Sequence, residues 1–399
     1  MLASLYMRRK GSGTTRKLPS GRYQARIIRP DGTRESLGTY RTKTEAERAL
    51  VRAEAEQIEG EWKPTPDNPG TVGEWAEKWL DGAHHLKPST RASYEIALRS
   101  HVLPQWGDTP VTKITRQDVA DWVVKMVEAG QKPDRIRLNM VALRNTLNVA
   151  MSANALRVNP TIGIKRPQSK SHEMHPLTVE QIESLAEAIS HPELKPSGNG
   201  ARVGRSERPD LGLAVKLAAY TGLRAGEVWA LRRKHLDLDH RTIRVSESMT
   251  EINGILATGT TKTGSNRAVT WPAFLDEAIA NHLATRPDDP DTLVFASTTE
   301  TPMRHGSFMT KHFRPALARA GLPKGIRFHD LRHTHASLLI ARGAHPKAIQ
   351  ERLGHSSITV TLDTYGHLFP GVGDELAHEL DALFQEQIGH DEGTEKYAK

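Results

Sequence analysis

The sequence contains no cysteine among its 399 residues. This excludes disulfides and thiolate zinc sites and fits a reducing cytoplasm. It also lacks any apolar run approaching the roughly 18 residues of a membrane span. Its start, MLASLYMRRKGSG, has no apolar h-region of a secretory signal peptide. A cytoplasmic protein with no membrane partner is expected. The chain has no internal repeat and no extended low-complexity tract. Acidic residues are missing before Asp31, whereas Arg8, Arg9, Lys10, Arg16, Lys17, Arg22, Arg26 and Arg29 all precede it. Such a run of one sign is the electrostatic footprint of a polyanionic partner. It says more than the overall balance of 55 Lys and Arg to 47 Asp and Glu, a net charge of +8.

The length is enough for two or three domains, each with its own core. From Gly21, GRYQARIIRPDGTRESLGTY reads as two alternating strands broken by the turn signal Pro30-Asp31-Gly32. TKTEAERALVRAEAEQIEG then predicts a helix with Thr44 as N-cap and Glu47 as its capping-box partner. Residues 1–62 are therefore expected to form a small α+β DNA-binding domain, a three-stranded-sheet-like layer plus a helix. Alternation there can present Arg22, Arg26 and Arg34 to a DNA groove. Three prolines and a glycine in KPTPDNPG make 63–70 a linker.

Residues 71–164 are helical by pattern: TVGEWAEKWL, STRASYEIALRSHVLPQWG, TRQDVADWVVKMVEAG and PDRIRLNMVALRNTLNVAMSANAL predict a compact all-α bundle of four helices. Arg91 and Arg144 are candidate DNA contacts on its basic surface. A second polar, basic linker occupies 165–176. The third domain, 177–385, opens with the capped helix LTVEQIESLAEAI and continues into HPELKPSGNGARVGRSERPD, which reads as an exposed, mobile loop. Helices follow on both sides of Thr221-Gly222, and TIRVSES and RAVTWP read as strands around a turn, ATGTTKTGSN. Leu376, Leu380, Leu383 and Phe384 form a helical apolar stripe before a polar tail at 386–399.

The chemistry is concentrated in this third region. Arg224 stands at a helix start with Glu227 three positions on, so the carboxylate can hold the guanidinium fork. His329 and Arg332 are also three apart, which on a helix directs an imidazole and a guanidinium at one point. Two arginines from separate segments can clamp both non-bridging oxygens of one phosphate, where charge builds in the transition state. His329 and His333 have the i, i+4 spacing of metal-binding helices. However, Asp330 stands where the zincin pattern requires Glu, and Arg332 would crowd a cation, so no metal is expected. His333 and His335 read as structural histidines, and Asp330 as a helix cap or a histidine orienter. Tyr365, followed by Gly366, is expected on a flexible segment, and its phenol needs a positive or hydrogen-bonding environment to ionise.

TGLRAGEVWAL, TKTGSNRAV, HDLRHTHASLL and ERLGHSSITVTLDTYGH, in this order, resemble the tyrosine recombinases, and most closely the phage-type integrases with an N-terminal arm-binding domain. The resemblance covers nearly the whole chain. It implies a multidomain fold: the arm-binding α+β domain, a helical core-binding (SAM-like) domain, and a mixed, mainly α (α+β) catalytic domain. By position it makes Tyr365 the nucleophile, Arg224 and Arg332 the phosphate clamp, and Lys262, in a turn between two strands, the general acid for the leaving 5′ oxygen. His329 would assist proton transfer and His355 would donate to the scissile phosphate.

The implied reaction forms a 3′-phosphotyrosyl bond and conserves bond energy in the linkage, so it needs no cofactor, metal or nucleotide. The implied partners are double-stranded DNA at core and arm attachment sites, further protomers completing a homotetramer, and DNA-bending and directionality factors, in a bacterial host's cytoplasm and nucleoid. A type IB topoisomerase would share the chemistry as a monomer. A non-cleaving regulator on the same scaffold is disfavoured because every catalytic position carries a competent residue. A host resolvase is the nearer rival, and residues 1–62 argue against it.

Overall fold

The computed structural model describes residues 13–28, 32–58, 68–169, 174–192, 195–196, 202–203, 206–260, 266–369 and 372–388. The chain divides into two compact units, Met1–Ser171 and His172–Lys399.

The first unit opens with an antiparallel sheet in the order β1 (Gly13–Lys17), β2 (Tyr23–Ile28), β3 (Arg34–Tyr40), followed by α1 (Lys43–Ile58). Alternation turns Ala25, Ile27 and Leu37 inward against Ala46, Leu50 and Ala53 of α1. The opposite parity leaves Thr14, Arg16, Arg34 and Ser36 exposed, with Gln24 and Arg26 half-buried. Arg22 lies in the β1–β2 turn, where its carbonyl accepts from Leu18 N–H at 2.7 Å. Two capping boxes are spelled in tandem, and the one nearer β3 is used. Thr42 Oγ1 accepts from Glu45 N–H and Glu45 Oε2 from Thr42 N–H, both at 3.2 Å. The N-cap is therefore Thr42 and not Thr44.

Helices α2 (Val72–Gly82), α3 (Pro88–Ala97), α4 (Leu103–Trp106), α5 (Arg116–Glu128) and α6 (Pro133–Ser152) complete this unit. Capping boxes start two of them, Thr71 with Glu74 and Thr115 with Asp118. A π-helical turn, Leu98–Val102, joins α3 to α4 just before Pro104, whose missing N–H removes one rung of the helical ladder. Trp75, Trp79, Trp106, Trp122 and Leu143 lie in the shared core, with Trp106 and Trp122 edge to face at 6.1 Å.

The second unit begins with α7 (Val179–Ser190), capped by Thr178 and Gln181. Within the stretch read as a mobile loop, β4 (Lys195–Pro196) and β5 (Arg202–Val203) pair antiparallel. Next come α8 (Pro209–Thr221), α9 (Ala225–Trp229), β6 (Leu236–Asp237), β7 (Thr242–Val245), β8 (Glu247–Ile252), β9 (Ile255–Thr260) and β10 (Arg267–Thr270). The expected pairing of TIRV with RAVT holds: β10 pairs with β7, which also pairs with β6. The expected turn between them needs correction. Ile255–Thr260 is a strand in a second hairpin, β8–β9, reversed at Asn253-Gly254 with φ of 49° and 79°. Both residues are left-handed, as a tight two-residue hairpin demands.

The chain ends in α10 (Asp276–Ala284), α11 (His305–Phe308), α12 (Arg314–Arg319), α13 (Asp330–Ile340), α14 (Pro346–Leu353), α15 (Ile358–Tyr365) and α16 (Val372–Ile388). The last helix runs a few residues past the 385 boundary, and its Leu380, Leu383 and Phe384 are more than half exposed. The main core includes Trp229, Phe308, Phe313 and Phe328. A smaller cluster, Ala336, Ile340, Ile349, Leu353 and Tyr365, lies where α13, α14 and α15 meet. Among the described residues no helix is long and apolar enough to cross a membrane.

Candidate active site

The site is built around two helix ends. Helix α8 stops at Gly222, whose φ of 71° suits glycine, and a Cβ there would lie 2.7 Å from both His335 Cδ2 and Leu353 Cδ2. Helix α14 stops at Gly354, also left-handed at 64°. These ends leave carbonyls without helical partners, and the arginines take them. Arg332 donates from Nη1 to Gly222 O at 2.8 Å and from Nη2 to Leu353 O at 2.6 Å. Arg224 donates from Nη2 to Gly354 O at 3.3 Å. The two guanidinium groups predicted from separate segments thus meet at the C-terminal end of α14. Burial, and next the Arg224 charge, pull Arg332 down to about 9, which leaves it cationic at neutral pH.

Glu227 fixes the first arginine as expected. Its Oε1 accepts from Arg224 Nη1 at 2.9 Å and its Oε2 from Arg224 N–H at 2.8 Å. The sequence reading missed the other half of this arrangement. Arg267 reaches both oxygens of the same carboxylate, at 3.0 and 2.7 Å, and donates from Nε to Arg352 O at 3.1 Å. Burial raises the pKa of the Glu227 carboxyl, but the Arg267 hydrogen bonds and charge, followed by those of Arg224, outweigh it and hold it below the usual range. The signal for Arg267 was present: it shares strand parity with buried Val269, an arginine on the inner face of β10.

Tyr365 corrects the expectation of a flexible segment. It is the last residue of α15 and is 1% exposed. Apolar residues one helical turn apart, Ala336 and Ile340 on α13 and Ile349 and Leu353 on α14, build the pocket that encloses its ring. Burial pushes the phenol up to about 12, with Arg332 and Arg224 working against that rise. Its hydroxyl is 2.9 Å from His333 Nδ1. His333, read from the sequence as structural, is the described side chain that hydrogen-bonds this oxygen. The His333 ring also packs edge to face on His329, with centroids 4.9 Å apart. His355 lies nearly parallel to the Tyr365 ring at 6.4 Å, and its Nδ1 is 2.8 Å from Thr361 Oγ1. Burial, followed by the neighbouring arginines, lowers His355 to about 4. His329 is open to solvent on one side, and the protein packed around the rest of its ring desolvates it, so it is likewise lowered to about 4, with His333 as the next cause. Asp330 is buried and accepts from Arg327 N–H at 2.8 Å, closing the first turn of α13.

Lys262 lies outside the described residues, as do Arg8, Arg9 and Lys10. In the first unit Arg91 donates to Glu95 Oε1 at 2.9 Å and to Leu80 O at 2.5 Å. Arg144 donates to Thr161 Oγ1 and Thr161 O, both at 3.3 Å. These two guanidinium groups are engaged within the protein. Arg16, Arg26 and Arg34 share the open face of the sheet.

His335 is structural, as expected. It is 3% exposed, and its Nε2 accepts from Arg352 Nε at 2.8 Å. Burial, then the Arg352 charge, lowers it to about 3, because an imidazolium could not accept that bond. In the unfolded chain it would titrate at about 6.5. As pH falls below that value the unfolded state takes up a proton that the folded state refuses, so stability is present above about 6.5 and declines toward about 3. Denaturant midpoints should therefore drop from pH 7.5 to pH 5, and the drop should shrink in His335→Gln. Equal slopes for both proteins would refute the buried neutral imidazole.

The Phage integrase family profile matches residues 175–371. The Phage integrase, N-terminal domain matches 11–60 and the Phage integrase, N-terminal SAM-like domain 71–127. The putative prophage phiRv2 integrase of Mycobacterium tuberculosis is 30% identical over 389 residues, covering 95% of this chain and 97% of that protein. The chain belongs to the phage integrase family. It is a tyrosine recombinase, an enzyme of DNA breaking and rejoining, and a site-specific recombinase of the integrase kind rather than a non-cleaving regulator. The integrase of Mycobacterium phage D29 is 29% identical, covering 94% of this chain and 98% of its own. Among solved structures, the Tn1549 transposon integrase in complex with a circular intermediate DNA matches with TM-score 0.64 at 22% identity, over 78% of this chain and 99% of that one. The lambda integrase tetramer bound to a Holliday junction matches with TM-score 0.56 at 20% identity, over 86% and 96%. At these identities the structural likeness carries the fold.

Proposed function

We propose that this integrase joins and separates attachment sites of a phage or mobile element, with Tyr365 attacking the scissile phosphate. Arg224 and Arg332 hold its non-bridging oxygens, His355 donates to it, His329 assists proton transfer and Lys262 protonates the leaving 5′ oxygen. The freed 5′ hydroxyl of one duplex then attacks the phosphotyrosine of the other. The observation that carries this reading is the approach of two fixed guanidinium groups to the end of α14, with Tyr365 close enough for both to lower its pKa. Charge developing on a phosphorane would find donors already oriented and desolvated. The matching experiment is a suicide duplex carrying the element's core site: a denaturant-resistant 3′-linked protein–DNA adduct is expected, and its absence with active, DNA-bound protein overturns the reading.

In this scheme residues 1–62 bind arm sites, 71–164 and 177–385 grip the core site, and 63–70 and 165–176 are linkers. The exposed arginines Arg16 and Arg34, beside Arg26 on one sheet face, support the first assignment. Deleting residues 1–62 should spare core-site footprints and remove arm-site footprints, and unchanged footprints at both would refute it. Affinity should fall steeply with salt as counterions are displaced. The exposed Leu380, Leu383 and Phe384 of α16 support docking on a neighbouring protomer in a tetramer. DNA-bending and directionality factors complete the proposed assembly.

A further inference from the structure

We propose that His333 is the general base of this recombinase, taking the phenolic proton of Tyr365 at Nδ1 as the tyrosine attacks. The inference rests on the assignment of Tyr365 as nucleophile and goes beyond the six catalytic positions carried over by resemblance.

The geometry supplies the acceptor. Tyr365 Oη and His333 Nδ1 are 2.9 Å apart, within the reach a general base requires. With the ring proton on Nε2, Nδ1 accepts from the phenol. The environment supplies the need: Tyr365 is 1% exposed, so bulk water has little access to its proton. A buried phenol cannot ionise readily unless a nearby group takes the proton and positive charge stabilises the oxygen left behind. Arg332 and Arg224 provide that charge. The other imidazoles are differently disposed. His355 Nδ1 faces Thr361 Oγ1, and the His329 ring meets the edge of His333 at the mouth of the site.

The step balances without a further reagent. The O–H bond of Tyr365 breaks and a bond from hydrogen to Nδ1 forms, giving an imidazolium. The phenolic oxygen bonds to phosphorus as the bond from phosphorus to the 5′ oxygen breaks, and that oxygen takes a proton from the general acid assigned to Lys262. In rejoining, the 5′ hydroxyl attacks phosphorus as its proton passes back to the neutral amine of Lys262, the bond from phosphorus to the phenolic oxygen breaks, and Nδ1 returns its proton to that oxygen. Among the described residues, the charged and titratable groups around His333 and the phenol it meets include His329 and Arg332 on its own helix, Tyr365 on α15, and Arg224 and His355 beside that phenol.

The test is single-turnover cleavage by the full chain on two core-site suicide duplexes, one with an oxygen and one with a sulfur at the scissile 5′ bridge. A thiolate leaves without protonation, so the sulfur duplex dispenses with the general acid and still requires the base. His333→Asn keeps an acceptor for the phenol but no proton acceptor of useful basicity; His333→Ala removes both. Both should bind DNA as tightly as the unaltered protein. Both should cleave each duplex more slowly by about 10²- to 10⁴-fold, the range for losing a general base. The unaltered protein should slow as pH is lowered, and both variants should lack that acid-side fall. Three results would overturn the proposal: near-normal cleavage by His333→Asn, recovery of either variant on the sulfur duplex, or an unchanged pH profile. Tyr365→Phe in parallel separates the two claims. Adduct formation by that variant would undo the nucleophile assignment, whereas its loss beside a fully active His333→Asn would undo only the base.

Discussion

Tyr365→Phe should bind core-site DNA normally and form no covalent adduct at all, the largest single loss expected in this enzyme. The substitution removes one oxygen and leaves a ring that fits the same pocket. The α13–α14–α15 cluster around it is apolar, and Phe satisfies it as well as Tyr does. One hydrogen bond is lost, that to His333, and a net cost of about 1 kcal/mol is usual for such a bond. The fold should therefore persist while the nucleophile is absent. The measurement is paired: equilibrium binding to the core site, and adduct on a suicide duplex after denaturation. An undiminished adduct would remove Tyr365 from the mechanism. Loss of binding alongside loss of adduct would mean that the phenol holds the site together, which its one hydrogen bond among the described residues does not support.

What the sequence disclosed about this enzyme divides along the range of the interactions concerned. The break at Thr221-Gly222, the Arg224–Glu227 pair and the capping boxes of α2, α5 and α7 are set within a few residues, so local pattern predicts them. The contacts that make a site of these pieces are remote. Arg332 reaches Gly222 O across 110 positions and Arg224 reaches Gly354 O across 130. No periodicity encodes such a meeting. His333 illustrates the same limit. Its spacing from His329 drew a metal reading, while its actual partner lies 32 positions away. Tyr365 was misplaced for a related reason. A Thr-rich segment before glycine looks mobile, yet Thr361 is fully buried and helical packing seals the ring in. The β8–β9 hairpin is different, since its Asn253-Gly254 turn signal is local and competes with the glycine- and threonine-rich stretch that follows.

Arg332 should be the second most damaging position, and its two roles can be separated. The side chain is 2% exposed and donates to two backbone carbonyls from different helix ends. Arg332→Ala leaves both carbonyls buried without their donor, at about 1–3 kcal/mol each, so part of its defect will be instability. Arg332→Lys keeps the charge, but an ammonium has no planar fork to serve Gly222 O, Leu353 O and a phosphate together. It should fold better than the alanine variant yet still cleave more slowly by at least about 10²- to 10³-fold, the cost of a preorganised transition-state donor. Arg224, half-buried and braced by Glu227, should show a comparable rate loss with a smaller change in melting temperature. If the two guanidinium groups grip one phosphate, their effects will not be independent, and Arg224→Lys combined with Arg332→Lys should lose less than the product of the single losses. Strict multiplication would mean that the arginines act on separate events, and a near-normal single-turnover rate for Arg332→Lys would dismantle the clamp.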